Sequence, residues 1–272
     1  MIRITRCKEP DRLSAIRPLK LAELRLLGRE PVSDDIDGYK VVAEDLWSSQ
    51  YFKCCYCESK IPKGFNDVEH YRPKGEADRN PGSALVHGYW WLAFTWENLL
   101  FACPGCNRSG KNSQFPLASK SKPLLAELDP PGAEKPLLLD PGSAVNPVEH
   151  IEYVNSPAGG SGTPTYWWAR PRGGSVYGNM TIEVCKLNRL ELRELRNDYV
   201  SNILEPHANA LNAALLLGNK ARIQQEYDRA RALMTNRHSY VCLAFDVLRS
   251  LVPDDRLRTL NKHGWPSPHE VA

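Results

Sequence analysis

Leucine and isoleucine recur at helical spacing from Asp11 to Gly28 (Leu13, Ile16, Leu19, Leu21, Leu24, Leu27), and the run closes on a glycine, so a helix is predicted over 11–28. A shorter helix over 39–51 would turn Val42, Leu46 and Trp47 toward a core. From Cys54 the texture changes to brief apolar pieces broken by Pro and Gly. Asp67 to Tyr71 reads as a short strand, Arg72-Pro73-Lys74-Gly75 as a turn, and 76–88 as an exposed loop. The aromatic run from Tyr89 to Phe94 predicts a core segment or strand, with Trp90, Trp91 and Trp96 buried rather than stacked on bases. After Cys106 a helix is expected, which would set Asn107 and Lys111 one turn apart on one face.

Residues 115–175 are rich in Pro and Gly. Short apolar pieces at 136–139 and 150–154 suggest a few strands and ordered loops, and 159–162 and 173–174 read as turns. From Thr181 the chain becomes helical: one helix over 181–199, an interruption at Pro206, then helices over 208–234 and 236–250. The predicted fold class is therefore α+β. Residues 1–52 form helices packing on a core, 53–178 a loop-rich core, and 179–272 a helical region.

Composition changes this picture little: 42% apolar and 25% charged residues predict a soluble folded chain. The net charge of +3 does not by itself imply a nucleic-acid partner. Its distribution says more, because no acid falls between Glu97 and Glu127, where Arg108, Lys111, Lys120 and Lys122 stand, with Arg72, Lys74 and Arg79 upstream. Such a local field can draw in a polyanion; the alternative is an ordinary solvated face, the less favoured reading. The first residues lack the apolar run of a signal peptide, and no stretch approaches the about 18–20 apolar residues that span a bilayer. A cytoplasmic protein without a membrane partner is expected, in which eight cysteines are a poor disulfide framework.

Cys54-x2-Cys57 and Cys103-x2-Cys106 are paired knuckles, and four thiolates favour a tetrahedral zinc ion. With all four positions filled by protein, such a zinc is structural: it pins two loops together. Cys55 reads as a small buried hydrophobe, and the isolated Cys7, Cys185 and Cys242 as packing residues. Lone histidines at 87, 150, 207 and 238 read as structural.

Between the knuckles lie Asp67-Val68-Glu69-His70-Tyr71-Arg72-Pro73-Lys74 and Trp96-Glu97-Asn98, and Cys106 continues as Asn107-Arg108-Ser109-Gly110-Lys111. This arrangement resembles the HNH endonuclease family, in which an acid and His follow the first CxxC, an Asn precedes the second, and His or Asn follows the last Cys. The Glu-His-Tyr-Arg-Pro-Lys form, with Leu139-Asp140-Pro141, Asn146-Pro147-Val148-Glu149-His150-Ile151 and Leu187-Asn188-Arg189, is similar to the HNH nucleases of bacterial antiphage systems, the Septu type and relatives encoded beside retrons.

The resemblance implies a zinc-stapled ββα-metal core that hydrolyses phosphodiesters. His70 would be general base and Asn98 its orienting residue. Glu69 and Asn107 would hold a catalytic Mg2+ or Mn2+, with Asp67 able to share or replace the ligand role. Arg72, Lys74, Arg108 and Lys111 would meet phosphates. It also implies a nucleic-acid partner, DNA before RNA, and an SMC- or ABC-like ATPase, with a retron complex as a further possibility. Two departures stand out: Glu69 where Asp is commoner, and Asn107 where His is. Two other readings stay open, a degenerate zinc-stapled binding or scaffold module and an RNA (tRNA) nuclease.

Overall fold

The first helix, α1 (Asp11–Arg25), follows Pro10 and buries Leu13, Leu21 and Leu24. It ends three residues short of the predicted boundary, where Gly28 takes a left-handed turn (φ 67°). The structure is a computed structural model describing residues 1–65, 67–80, 86–129, 133–158, 163–261 and 264–271. The turn predicted at 159–162 lies outside the described residues. The second helix, α2 (Ala43–Ser49), is entered by a 3-10 turn over Tyr39–Val42 and buries Leu46.

Three two-stranded antiparallel sheets are found among the described residues. In the first, β1 (Asp67–His70) pairs with β4 (Leu99–Ala102), so that Val68 faces Phe101, Glu69 faces Leu100 and His70 faces Leu99. Because side chains alternate along a strand, this hairpin serves two cores. Val68, Leu99 and Phe101 join Leu13, Leu24, Val42 and Leu46 in a cluster under α1 and α2. Leu100 and Ala102 turn the other way, into the larger cluster that continues through the carboxy-terminal helices. The small sheet of β2 (Glu76–Ala77) and β3 (Val86–His87) replaces part of the expected loop.

The Tyr89–Phe94 segment is not a strand. It winds through a 3-10 turn at Trp90–Leu92 and buries Tyr89, Trp91, Ala93 and Phe94 without a strand partner. Trp96 is buried as expected, and Trp90 only half-buried. The third sheet, β5 (Ile151–Pro157) with β6 (Thr165–Pro171), turns Ile151, Tyr153, Trp167 and Ala169 inward, the alternation of a half-buried hairpin.

From Val176 onward the fold becomes helical: α3 (Val176–Val184), α4 (Leu190–Tyr199), α5 (Glu205–Leu217), α6 (Lys220–Ala232), α7 (Val241–Leu251) and α8 (Asp254–Asn261). The single helix expected over 181–199 is broken between α3 and α4, where Lys186 takes a left-handed conformation (φ 48°). Asn188 explains the break. Its side-chain amide pairs with the backbone of Ala169 in β6, accepting from N at 2.8 Å and donating to O at 2.9 Å.

Pro206 does not interrupt the next run. A widened turn over Val200–Leu204 joins α4 to α5 and takes up the lost N–H and the bulk of the ring. The helix expected over 208–234 is two, divided at left-handed Gly218, after which Asn219 caps α6. The most buried helix is α7, with seven buried side chains including Val241, Phe245 and Leu248. No helix of the described residues is long and apolar enough to cross a membrane.

Candidate active site and metal centre

Cys54, Cys57, Cys103 and Cys106 come together from the two knuckles, all buried, with their sulfurs within 4.8 Å of one another. The Cys57 and Cys103 sulfurs are 3.8 Å apart. A tetrahedral ion with metal–sulfur bonds of about 2.3 Å sets neighbouring sulfurs about 3.8 Å apart, so the donor set fits a thiolate-bound metal ion. It is the one group of three or more His, Cys, Asp or Glu donors so placed among the described residues. Burial pushes the Cys54 thiol well up, whereas hydrogen bonds from Cys103, Cys106 and Cys54 hold Cys57 well down. Four buried thiolates side by side repel one another, and a bound cation is what relieves that repulsion.

A further basic group faces these sulfurs. Arg189, the residue before α4, donates from Nη1 to Cys106 Sγ at 3.3 Å and from Nη2 to Cys103 Sγ at 3.6 Å. The remaining cysteines divide. Burial raises the Cys55 thiol to about 11 and the Cys242 thiol to about 12, and Cys185 is fully buried. Cys7, expected to pack inside, is exposed: the segment carrying it runs along the surface, with only its carbonyl engaged by Trp96 Nε1.

The β1 acids project toward the second knuckle. Asp67 accepts two hydrogen bonds from Arg108, at 2.6 and 2.9 Å, and one from Asn107 Nδ2 at 3.1 Å. Glu69, deeper, lies 2.7 Å from Lys111 Nζ and accepts from the Tyr56 hydroxyl at 3.1 Å. Lys111 is fully buried and also donates to the His70 carbonyl at 2.9 Å. The helix expected after Cys106 is a single five-residue π turn over Asn107–Lys111, a widened turn at whose end Lys111 points inward onto Glu69.

His70 turns its ring to the other face of β1, at the end of the hairpin where it still lines one cavity with the two acids. Its Nε2 lies 3.0 Å from the Ala93 carbonyl, which can only accept, so Nε2 carries the proton and Nδ1 keeps its lone pair. The Tyr39 ring packs edge-on at 4.6 Å. Burial disfavours the imidazolium and lowers the pKa to about 3, against a smaller opposing pull from the Ala93 carbonyl. Asn98 ties the hairpin end to the following turn: its Oδ1 accepts from Arg72 N at 2.7 Å, and its Nδ2 donates to the carbonyls of Arg72 and Leu92.

A cavity of about 470 Å³ opens over this hairpin, lined among others by Tyr39, Asp67, Glu69, His70, Lys74 and Asn107. Other cavities, including one of about 500 Å³ lined by Ile2–Cys7 and Lys53, match it in size, but neither His70 nor the β1 acids line that one. The candidate site therefore rests on its chemistry, not on its volume.

Of the basic residues singled out from sequence, Arg108 and Lys74 line the cavity. Arg72 is turned inward, ion-paired with buried Glu134 at 2.9 Å and close to the rings of Tyr71, Tyr89 and Phe115. His150 holds a helix start, with Nδ1 2.8 Å from Ser175 Oγ. Tyr39 and Arg189 are brought to the site from distant parts of the chain, whereas Tyr56 sits inside the first knuckle, between Cys54 and Cys57. Arg189 stands in the Leu-Asn-Arg piece noted above.

Over 178 residues, 65% of its length, the chain is 34% identical to the Septu protein PtuB of Bacillus mycoides. The matched part spans 56% of that relative, a little over half of it. No family model matches the chain, and no solved structure matches it significantly.

Proposed function

We propose that the chain is a zinc-stapled, metal-dependent HNH endonuclease that hydrolyses nucleic-acid phosphodiesters, DNA by preference, as the effector of a bacterial antiphage system of the Septu type. The observation that carries the reading is one cavity holding His70, Asp67, Glu69 and Asn107 directly beside a four-cysteine metal centre. The likeness to a Septu protein PtuB supports it. In this reading residues 53–178 are the nuclease core, in which β1, β4 and the turn at 107–111 make a ββα-metal unit with its helix shortened. Residues 1–52 pack on the core, and 179–272 brace it or dock an SMC- or ABC-like ATPase.

The four cysteines take zinc, which leaves no position for substrate and serves the frame alone. A divalent ion, Mg2+ or Mn2+, would supply charge stabilisation for the phosphoryl group undergoing attack. Asp67, Asn107 and Glu69 are the residues that would hold it, with Lys111 offsetting the charge of the buried Glu69. Asn98 braces the backbone on both sides of the hairpin end and so fixes where His70 stands.

With Nε2–H committed to Ala93, the Nδ1 lone pair of His70 accepts a proton from water attacking phosphorus. In the free site burial holds the ring neutral. A bound phosphodiester brings negative charge beside it and raises its basicity. Arg108 and Lys74 receive the phosphates on either side.

Nicking of DNA and RNA pools in Mg2+ or Mn2+, with and without the product of the neighbouring gene, tests the reading. His70→Ala should lose about 10²–10⁴-fold in rate while keeping its fold. Equal cleavage by wild type and His70→Ala would sink the assignment of the base. The second reading, a degenerate binding module, is favoured by one feature: Glu69 is already ion-paired to Lys111. Absence of Mn2+ binding at Asp67 and Asn107 would decide for it.

A further inference from the structure

The turn between α3 and α4 does more than reverse the chain. It lays a guanidinium on the second cysteine knuckle, and the knuckle is shaped to receive it. A Cβ at Gly105 would fall 2.9 Å from Arg189 Nη2 and 3.1 Å from both its Cζ and Nε. A Cβ at Gly110, close to Gly105 in the turn that follows the knuckle, would meet the Cys185 carbonyl group at 3.2 Å. The 185–189 turn is thus packed closely on the knuckle, with the Arg189 guanidinium against Gly105 and the Cys185 backbone against Gly110. Besides the two sulfurs, Arg189 Nη1 reaches the Lys186 carbonyl at 3.3 Å, which holds the fork in place from its own turn.

A tetrathiolate around a dication carries a net charge of two negatives in a buried setting. A planar, permanently charged fork suits two adjacent sulfurs better than a lysine does.

We infer that Arg189 is the outer-sphere partner of the cysteine metal centre: it raises the affinity for zinc by donating to Cys103 and Cys106, and it makes the 185–189 turn a third wall of that centre. The inference rests on the reading of the four cysteines as a zinc site. Residues holding metal ligands from behind commonly set affinity by 10- to 100-fold.

The test is zinc affinity of the full chain, by competition with a chromophoric chelator at fixed pH. Arg189→Met should weaken zinc about 10- to 100-fold, and Arg189→Lys should fall between it and wild type. Gly105→Ala displaces the fork without removing the charge, and its backbone is not left-handed. It should weaken zinc on its own and have no further effect in the Arg189→Met background. Zinc affinity in Arg189→Met within threefold of wild type overturns the inference, whatever its melting temperature. If Arg189→Met does not fold, Gly105→Ala with wild-type affinity overturns it equally. A wild-type chain that purifies without zinc and ignores chelators overturns the zinc reading itself, a separate outcome.

Discussion

At His70 the imidazole is almost wholly out of water, donates through Nε2 to Ala93, and has the Tyr39 edge against it. Its pKa of about 3 lies below the ordinary 6.5, so between those values the unfolded chain binds a proton that the folded chain refuses. The stability gained from keeping the ring neutral is whole above pH 6.5 and is lost progressively as pH falls toward 3. From pH 7 to pH 5, wild type should therefore lose about 2 kcal/mol relative to His70→Gln, at roughly 1.4 kcal/mol per pH unit below 6.5. Urea unfolding of both proteins at each pH measures it, the other histidines cancelling in the difference. Parallel curves would show that the ring is not buried.

The order of residues around the knuckles singled out His70, Glu69 and Asn98 as candidates, but not their partners. That Lys111 would be drawn inside onto Glu69, and Arg72 onto Glu134, depends on contacts between residues far apart in the chain.

Among the elements, α3 meets the entry to the β5–β6 hairpin, at His150, with the least tolerance. A Cβ on Gly178 would lie 2.0 Å from the His150 carbonyl oxygen, so the helix reaches the start of the hairpin only because that position has no side chain. Gly178→Ala should destabilise the protein by at least about 1–3 kcal/mol, seen as a lower urea midpoint. An unchanged midpoint would mean that α3 sits farther from β5.

Helical periodicity located α1, α2 and most of the carboxy-terminal helices, and the short apolar piece at 150–154 located β5. The breaks were harder to read. The stop at Lys186 answers to Asn188 seeking the β6 backbone, a tertiary demand. The continuation through Pro206 depends on a widened turn that local propensity does not reveal. In Tyr89–Phe94 strong apolar character shows burial without showing which backbone shape delivers it.

For the molecule as a whole, the cysteine centre stands where the core segment carrying β1 and β4 meets the helical turn at 185–189. Structural zinc binds with about 10–16 kcal/mol in small zinc modules, as much as the whole stability of a typical domain. Stripping the metal with a strong chelator should abolish the cooperative melt or lower its midpoint sharply. Near-ultraviolet circular dichroism should report the loss through Trp91 and Trp167, both in the cluster that contains the cysteines. A melt indifferent to the chelator would exclude a structural metal. The paired cysteine spacing made this centre legible from the sequence, while the reach of the helical half onto it was not.

The four-residue pairing of β1 with β4 has a consequence for how this chain can vary. Asp67 and Glu69 face the second knuckle, and Val68 and His70 face the cluster under α1 and α2. With a side-chain period of two, removing or adding one residue inside β1 would exchange the two sets. The acids would then enter the apolar cluster, and the imidazole would turn toward Arg108. Insertions in the long excursion between the strands leave this parity untouched. Length variation among functional variants should thus collect between Gly75 and Gly88 and spare Asp67–His70, where a change of one position inverts the site.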